Sequence, residues 1–106
     1  MDNILITGAA SGIGAATARL FHAYGWKVGL LDINHGALAS LSAELGDAWY
    51  SPLDVADASA VQDALKRFTA VHNGQLRLLF NCAGILRFGH FEAIELTEHV
   101  RILQIN

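Results

Sequence analysis

Asn3-Ile4-Leu5-Ile6-Thr7-Gly8-Ala9-Ala10-Ser11-Gly12-Ile13-Gly14 is the stretch whose reading decides the fold. Asn3 to Thr7 is short and apolar in its middle, which reads as a strand. It runs straight into a turn holding three glycines. Beyond the turn, Ile13, Ala16, Leu20 and Tyr24 recur at the spacing of one helix face, with Ser11 available as a cap and Gly25 just past the end. The opening unit is therefore strand, glycine turn, helix.

Working outward, the same alternation continues. Lys27 to Leu31 reads as a second strand ending at Asp32, and Leu38, Leu41 and Leu45 mark one face of a helix that stops at Gly46. Ala48 to Leu53 reads as a third strand, and Pro52 suits it to a sheet edge because proline has no N–H for the ladder. Asp57 caps a helix with Val61, Leu65 and Phe68 on its face, closing before Asn73-Gly74. Leu76 to Phe80 is a nearly continuous apolar run, as expected of a strand covered on both faces. A glycine-containing loop through Gly84 and Gly89 leads to a last helical stretch, about Thr97 to Asn106, carrying Val100 and Leu103.

Strands alternating with helices imply a parallel sheet with crossover helices, and right-handed crossovers order it 3-2-1-4. The expected fold is α/β, a three-layer doubly wound sheet in one domain over 1–106, cut off after the fourth strand and part of the following helix. That fourth strand is expected to be left as an apolar edge without a neighbour, so the chain by itself is expected to be poorly stable. The direction reverses between strands one and four. A ligand is expected at their carboxyl ends, where Gly8 to Gly14 meets Asn81 to Gly84.

Composition narrows the partners. The chain has 106 residues, 53% hydrophobic and 16% charged, enough apolar content to bury a core. Net charge is -3 and the cations, Arg19, Lys27, Lys66, Arg67, Arg77, Arg87 and Arg101, are scattered, which argues against nucleic acid. The single cysteine, Cys82, cannot form an internal disulfide. Apolar runs are too short for a membrane span, and no basic segment precedes an apolar stretch as in a signal peptide. A cytoplasmic protein without membrane association is the expectation.

The turn itself carries the chemistry. Glycines there permit a tight reversal, close approach of a ligand to the backbone, and packing of helix on strand. The helix start offers free N–H groups and a positive dipole end to a pyrophosphate. The spacing Gly-x-x-x-Gly-x-Gly differs from the commoner Gly-x-Gly-x-x-Gly, and three glycines can also serve a turn alone. Asp32, at the tip of the second strand, is placed to accept from both hydroxyls of an adenosine ribose, although it also reads as a turn or capping aspartate. A 2'-phosphate about 4 Å from it would be repelled by roughly 4 kcal/mol at an effective dielectric near 20. Neither Ile33 and Asn34 nor Ala9, Ala10 and Ser11 supply a compensating cation. NAD is favoured over NADP. An NTPase loop is excluded because no Gly-Lys-Ser/Thr follows the turn.

These motifs together resemble the short-chain dehydrogenase/reductase family, over Thr7 to Asn106. The resemblance implies a Rossmann-type fold in which Gly8, Ser11, Gly12, Ile13 and Gly14 hold the cofactor's pyrophosphate and Asp32 and Ile33 its adenosine side. It makes Asp54 and Val55 the pair that binds adenine. Asn81-Cys82-Ala83-Gly84 resembles the family's Asn-Asn-Ala-Gly with cysteine in second place, so that Asn81, Ala83 and Gly84 border the cofactor. Asn106 resembles the helix asparagine of the catalytic tetrad, whose backbone carbonyl holds a water of the proton relay. The implied activity is hydride transfer between NAD and a secondary alcohol or ketone, in a full-length parent that forms dimers or tetramers.

The family's catalytic serine and Tyr-x-x-x-Lys have no counterpart in the 106 residues: Tyr24 is followed four later by Val28 and Tyr50 by Asp54. The chain alone is therefore expected to be inactive. Two other readings stay open, a non-catalytic NAD-binding or sensing module and an S-adenosylmethionine-dependent methyltransferase. The histidines at 22, 35, 72, 90 and 99 have no metal-ligand spacing, and no metal is expected. Cys82 reads as a small buried residue, and Glu92, Glu95 and Glu98 as surface charge at a helix start.

Overall fold

The structure, a computed structural model, describes residues 2–81 and 84–87. The elements follow the expected order: β1 (Asn3–Thr7), α1 (Gly12–Ala23), β2 (Lys27–Asp32), α2 (His35–Glu44), β3 (Trp49–Pro52), α3 (Ala58–Ala70), β4 (Leu78–Asn81) and β5 (Gly84–Arg87). The sheet runs β3-β2-β1-β4-β5. The first four strands are parallel in the expected 3-2-1-4 order, with Ile4 opposite Val28 on one side and Leu78 on the other. Pro52 does sit on an outer strand, β3.

Every residue of β1 is buried because helices cover both sheet faces. Successive side chains point to opposite faces, and the core divides accordingly. Leu5 and Leu31 pack with Val61, Leu65 and Phe68 of α3, while Ile4, Ile6 and Leu30 pack with Ala18 of α1 and Leu38 and Leu41 of α2. Asn3, buried at the start of β1, donates from Nδ2 to the Gln75 carbonyl at 2.9 Å and accepts from the Arg77 amide at 2.7 Å. It thereby fixes the entry of β1 against the approach to β4.

Two expectations are corrected. The α1 stripe of Ile13, Ala16, Leu20 and Tyr24 faces outward: Ile13 is 65% exposed, Leu20 53% and Tyr24 74%. Gly14 and Ala18 face the sheet instead, flanked by the partly buried Ala15 and Phe21. Small residues on that side let the helix lie close to β1 and β2. The period was right and the phase was wrong.

The second correction concerns β4. It is paired on both sides, with β1 in parallel and with β5 antiparallel in the register Leu78↔Arg87 to Asn81↔Gly84. Gly84 thus belongs to a strand rather than a loop. The expected helix over 97–106 lies outside the described residues.

Candidate functional site

The glycine turn is built from backbone bonds. Ser11 donates from its amide to the Gly8 carbonyl at 3.0 Å and from its hydroxyl to the same oxygen at 2.6 Å. That hydroxyl also accepts from the Gly14 amide at 3.1 Å, so Ser11 caps α1 as its residue type promised. Gly8 has φ +67°, in the left-handed region where a side chain is disfavoured. A Cβ on Gly14 would run into the Gly8 carbonyl and lie 2.9 Å from Ala9 Cα. A Cβ on Gly12 would meet nothing within 4 Å. Gly14 is therefore required for packing, whereas Gly12 faces open space.

The start of α1 retains donors. With Gly14 capped and the Ala15 amide bonded to the Ser11 carbonyl at 2.8 Å, the amides of Gly12 and Ile13 have no acceptor among the described residues. They are the donors an anion at the positive end of the helix would meet.

Asp32, at the end of β2, lies against the glycine turn. Its Oδ2 accepts from the Ala10 amide at 2.9 Å and its Oδ1 from the Asn34 amide at 3.0 Å. Its own carbonyl accepts from the Leu53 amide at 2.8 Å, while the Ala9 amide donates to the Leu31 carbonyl at 3.0 Å. The carboxylate is thus held against the glycine turn by the Ala10 amide and turned toward it by the Asn34 amide, while the backbone on either side is tied to β3's exit and to Ala9. It has accepted two bonds of the roughly four its oxygens can take, so lone pairs remain for hydroxyl donors in the crevice.

Ile33, next in the chain, is 72% exposed, and Val55, beyond the end of β3, is 37% exposed. Asp54 accepts from the Ala56 amide at 2.9 Å through Oδ1, and its carbonyl accepts from the Asp57 amide at 2.9 Å. This turn presents Val55 beyond the end of β3. Asn81 is buried at the carboxyl end of β4, paired with Gly84. Thr7 donates from its hydroxyl to the Phe80 carbonyl at 3.5 Å, tying β1 to β4 beside it.

Gly8, Ser11, Gly12, Ile13, Gly14, Asp32, Ile33, Asp54, Val55 and Asn81 therefore all stand at the carboxyl ends of β1 to β4 or in the segments that leave them. Gly84 turns back along β4. Ala83, Cys82 and Asn106 lie outside the described residues. The backbone amides of Ala10 and Asn34, which hold Asp32, are site features that side-chain types could not disclose. Among the described residues no three His, Cys, Asp or Glu side chains cluster to hold a metal.

A parallel sheet reversing at β1/β4, with a glycine turn and a carboxylate hydrogen-bonded to it, defines a Rossmann-type doubly wound fold. The short chain dehydrogenase family model matches residues 2–106, and the chain belongs to that family. Short-chain dehydrogenase reductase 5 of Arabidopsis thaliana is 36% identical over 106 residues, covering 97% of this chain and 40% of that protein. A 2,5-dichloro-2,5-cyclohexadiene-1,4-diol dehydrogenase of Sphingobium indicum is 38% identical, covering 96% of this chain and 42% of that protein. A short-chain type dehydrogenase/reductase from Mycobacterium ulcerans superposes with a TM-score of 0.70 at 30% identity, covering 76% of this chain and 32% of that one. The chain spans about two fifths of the length of the curated relatives it matches.

Proposed function

We propose that the chain is the NAD-binding part of an oxidoreductase that moves a hydride between NAD(H) and a secondary alcohol or ketone. The observation that carries this reading is Asp32, held against the glycine turn through the Ala10 amide with lone pairs to spare. In this role the Gly12 and Ile13 amides bind the pyrophosphate, Gly8, Ser11 and Gly14 shape the turn, and Asp32 accepts from the adenosine ribose hydroxyls. Asp54 and Val55 bind the adenine, Asp54 through its exocyclic amine and Val55 through its backbone N–H, with Ile33 also on the cofactor; Asn81, Ala83 and Gly84 border the cofactor. NAD, when bound, supplies the hydride acceptor or donor. Asn106 is assigned to the proton relay. The protein is proposed to act in the cytoplasm as a homodimer or homotetramer; among the described residues no helix is long and apolar enough to cross a membrane.

Calorimetric titration with NAD, NADP and S-adenosylmethionine tests the reading. NAD is expected to bind at least about tenfold more tightly than NADP, since roughly 1.4 kcal/mol of charge repulsion is enough for that ratio. Equal or better binding of NADP, or preference for S-adenosylmethionine, overturns it. Turnover is expected of a polypeptide that also carries the serine and Tyr-x-x-x-Lys, with the 106 residues alone binding without reacting.

A further inference from the structure

At the end of the sheet opposite the glycine turn, a cavity of about 360 Å³ opens where β2 and β3 begin and where α1, α2 and α3 finish. Its volume lies in the range of small-molecule sites, and so does its lining, apolar rings with a few polar groups among them. Both tryptophans of the chain, Trp26 and Trp49, line it together with Phe68. Phe68 stands 5.4 Å from Trp49, centroid to centroid, and 4.6 Å from His72, so the rings form a continuous aromatic wall.

The polar groups have a definite sense. His72 Nδ1 lies 2.7 Å from the Phe68 carbonyl oxygen. A carbonyl only accepts, so Nδ1 carries the hydrogen and donates it. Asp47 and Lys27 both line the cavity, yet neither forms an ion pair with the other or with any described residue. Each side chain leaves a charge of one sign available at the same cavity. His22, the remaining titratable group of the lining, belongs to the last turn of α1.

Helix carboxyl ends carry partial negative charge, so three of them converging here, beside Asp47, favour an ammonium and oppose a phosphate. The cavity is therefore unlike the nucleotide crevice in electrostatic sense as well as in position. Lys27, on the strand side, suits a carboxylate. The aromatic wall suits a flat apolar body.

We propose that this cavity binds a free α-amino acid with an aromatic side chain. The ammonium meets Asp47 and the helix carboxyl ends, the carboxylate meets Lys27, and the ring lies against Trp26, Trp49 and Phe68. Nothing in this assignment depends on the nucleotide reading.

The test is titration of the chain with L-phenylalanine, read by the emission of Trp26 and Trp49, the only two indoles. Near-UV circular dichroism of the same sample monitors the native fold. A saturable change is expected with a dissociation constant on the order of a millimolar or tighter, which about a dozen well-placed heavy atoms can supply. 3-Phenylpropionate, lacking the ammonium, and phenethylamine, lacking the carboxylate, are each expected to bind at least about tenfold more weakly. Asp47→Asn and Lys27→Gln should weaken L-phenylalanine by a similar factor. Asp47 has φ +65°, which asparagine also tolerates, so the first variant leaves the turn intact. Absence of saturation with the native spectrum preserved overturns the proposal. So does binding of either analogue as tight as that of L-phenylalanine, or parent affinity in either variant.

Discussion

At the residue scale, the glycines of the turn are not equivalent. Gly14→Ala pushes a methyl group into the backbone of Gly8 and Ala9, which cannot swing aside. It is expected to cost about 1–3 kcal/mol of stability in a urea melt, as overpacking does. Gly12→Ala enters open space and should leave the melt nearly unchanged while weakening NAD. A third glycine escapes any motif. A Cβ on Gly29 of β2 would lie 2.7 Å from both Leu5 Cδ1 and Phe68 Cε1, so its absence lets the Phe68 ring lie on the sheet. Gly29→Ala should destabilise by about 1–3 kcal/mol. Combination with Phe68→Leu should be less than additive, because the two changes share one contact.

At the element scale, each helix begins on a side chain that accepts an amide: Ser11 for α1, Asn34 for α2 and Asp57 for α3. Loss of such a cap by Asp57→Ala should cost about 1 kcal/mol, seen as a lower urea midpoint with an unchanged slope. Helices α1 and α2 are joined on their outer surface by Arg19 and Glu44, at 2.6 Å between Nε and Oε2. The hydrogen bond from Arg19 chiefly, against desolvation and with a smaller help from its charge, holds the Glu44 carboxyl below the usual range. A carboxyl depressed in the folded state stabilises above its unfolded value and loses that contribution as pH falls through the folded one. Glu44→Gln should therefore lower stability slightly at neutral pH, and the gap to the parent should close through the acidic carboxylate range. Thermal melts across pH read this directly; a gap that widens in acid contradicts it.

At the scale of the whole molecule, the outward stripe of α1 matters most. Ile13, Leu20 and Tyr24 place large apolar side chains on one exposed helix face, the kind of surface that drives association. Leu20→Gln with Tyr24→Gln should reduce self-association in light scattering while leaving the melting temperature of the chain nearly unchanged. A clear drop in melting temperature would mean that these side chains are packed. The apolar edge expected at β4 takes no part in such association along the length covered by β5, since its backbone groups are already paired there.

Much of this is legible in the amino-acid sequence. Alternating short apolar runs and helical periods specify a parallel sheet, because only helices on both faces can bury strands such as Ile4-Leu5-Ile6. The Thr7-Gly8 to Gly14 turn and Asp32 at a strand tip are readable from residue types alone, and the fold places them in contact. Local pattern does not fix rotational phase, however. The α1 residues repeat correctly, but which side meets the sheet depends on how closely Gly14 and Ala18 approach β1. Nor can sequence disclose contacts between backbone and a distant side chain. The Ala10 amide on Asp32, the ring of Phe68 over Gly29 and the cavity between three helix ends each join segments far apart in the chain, and only the packed sheet brings them together.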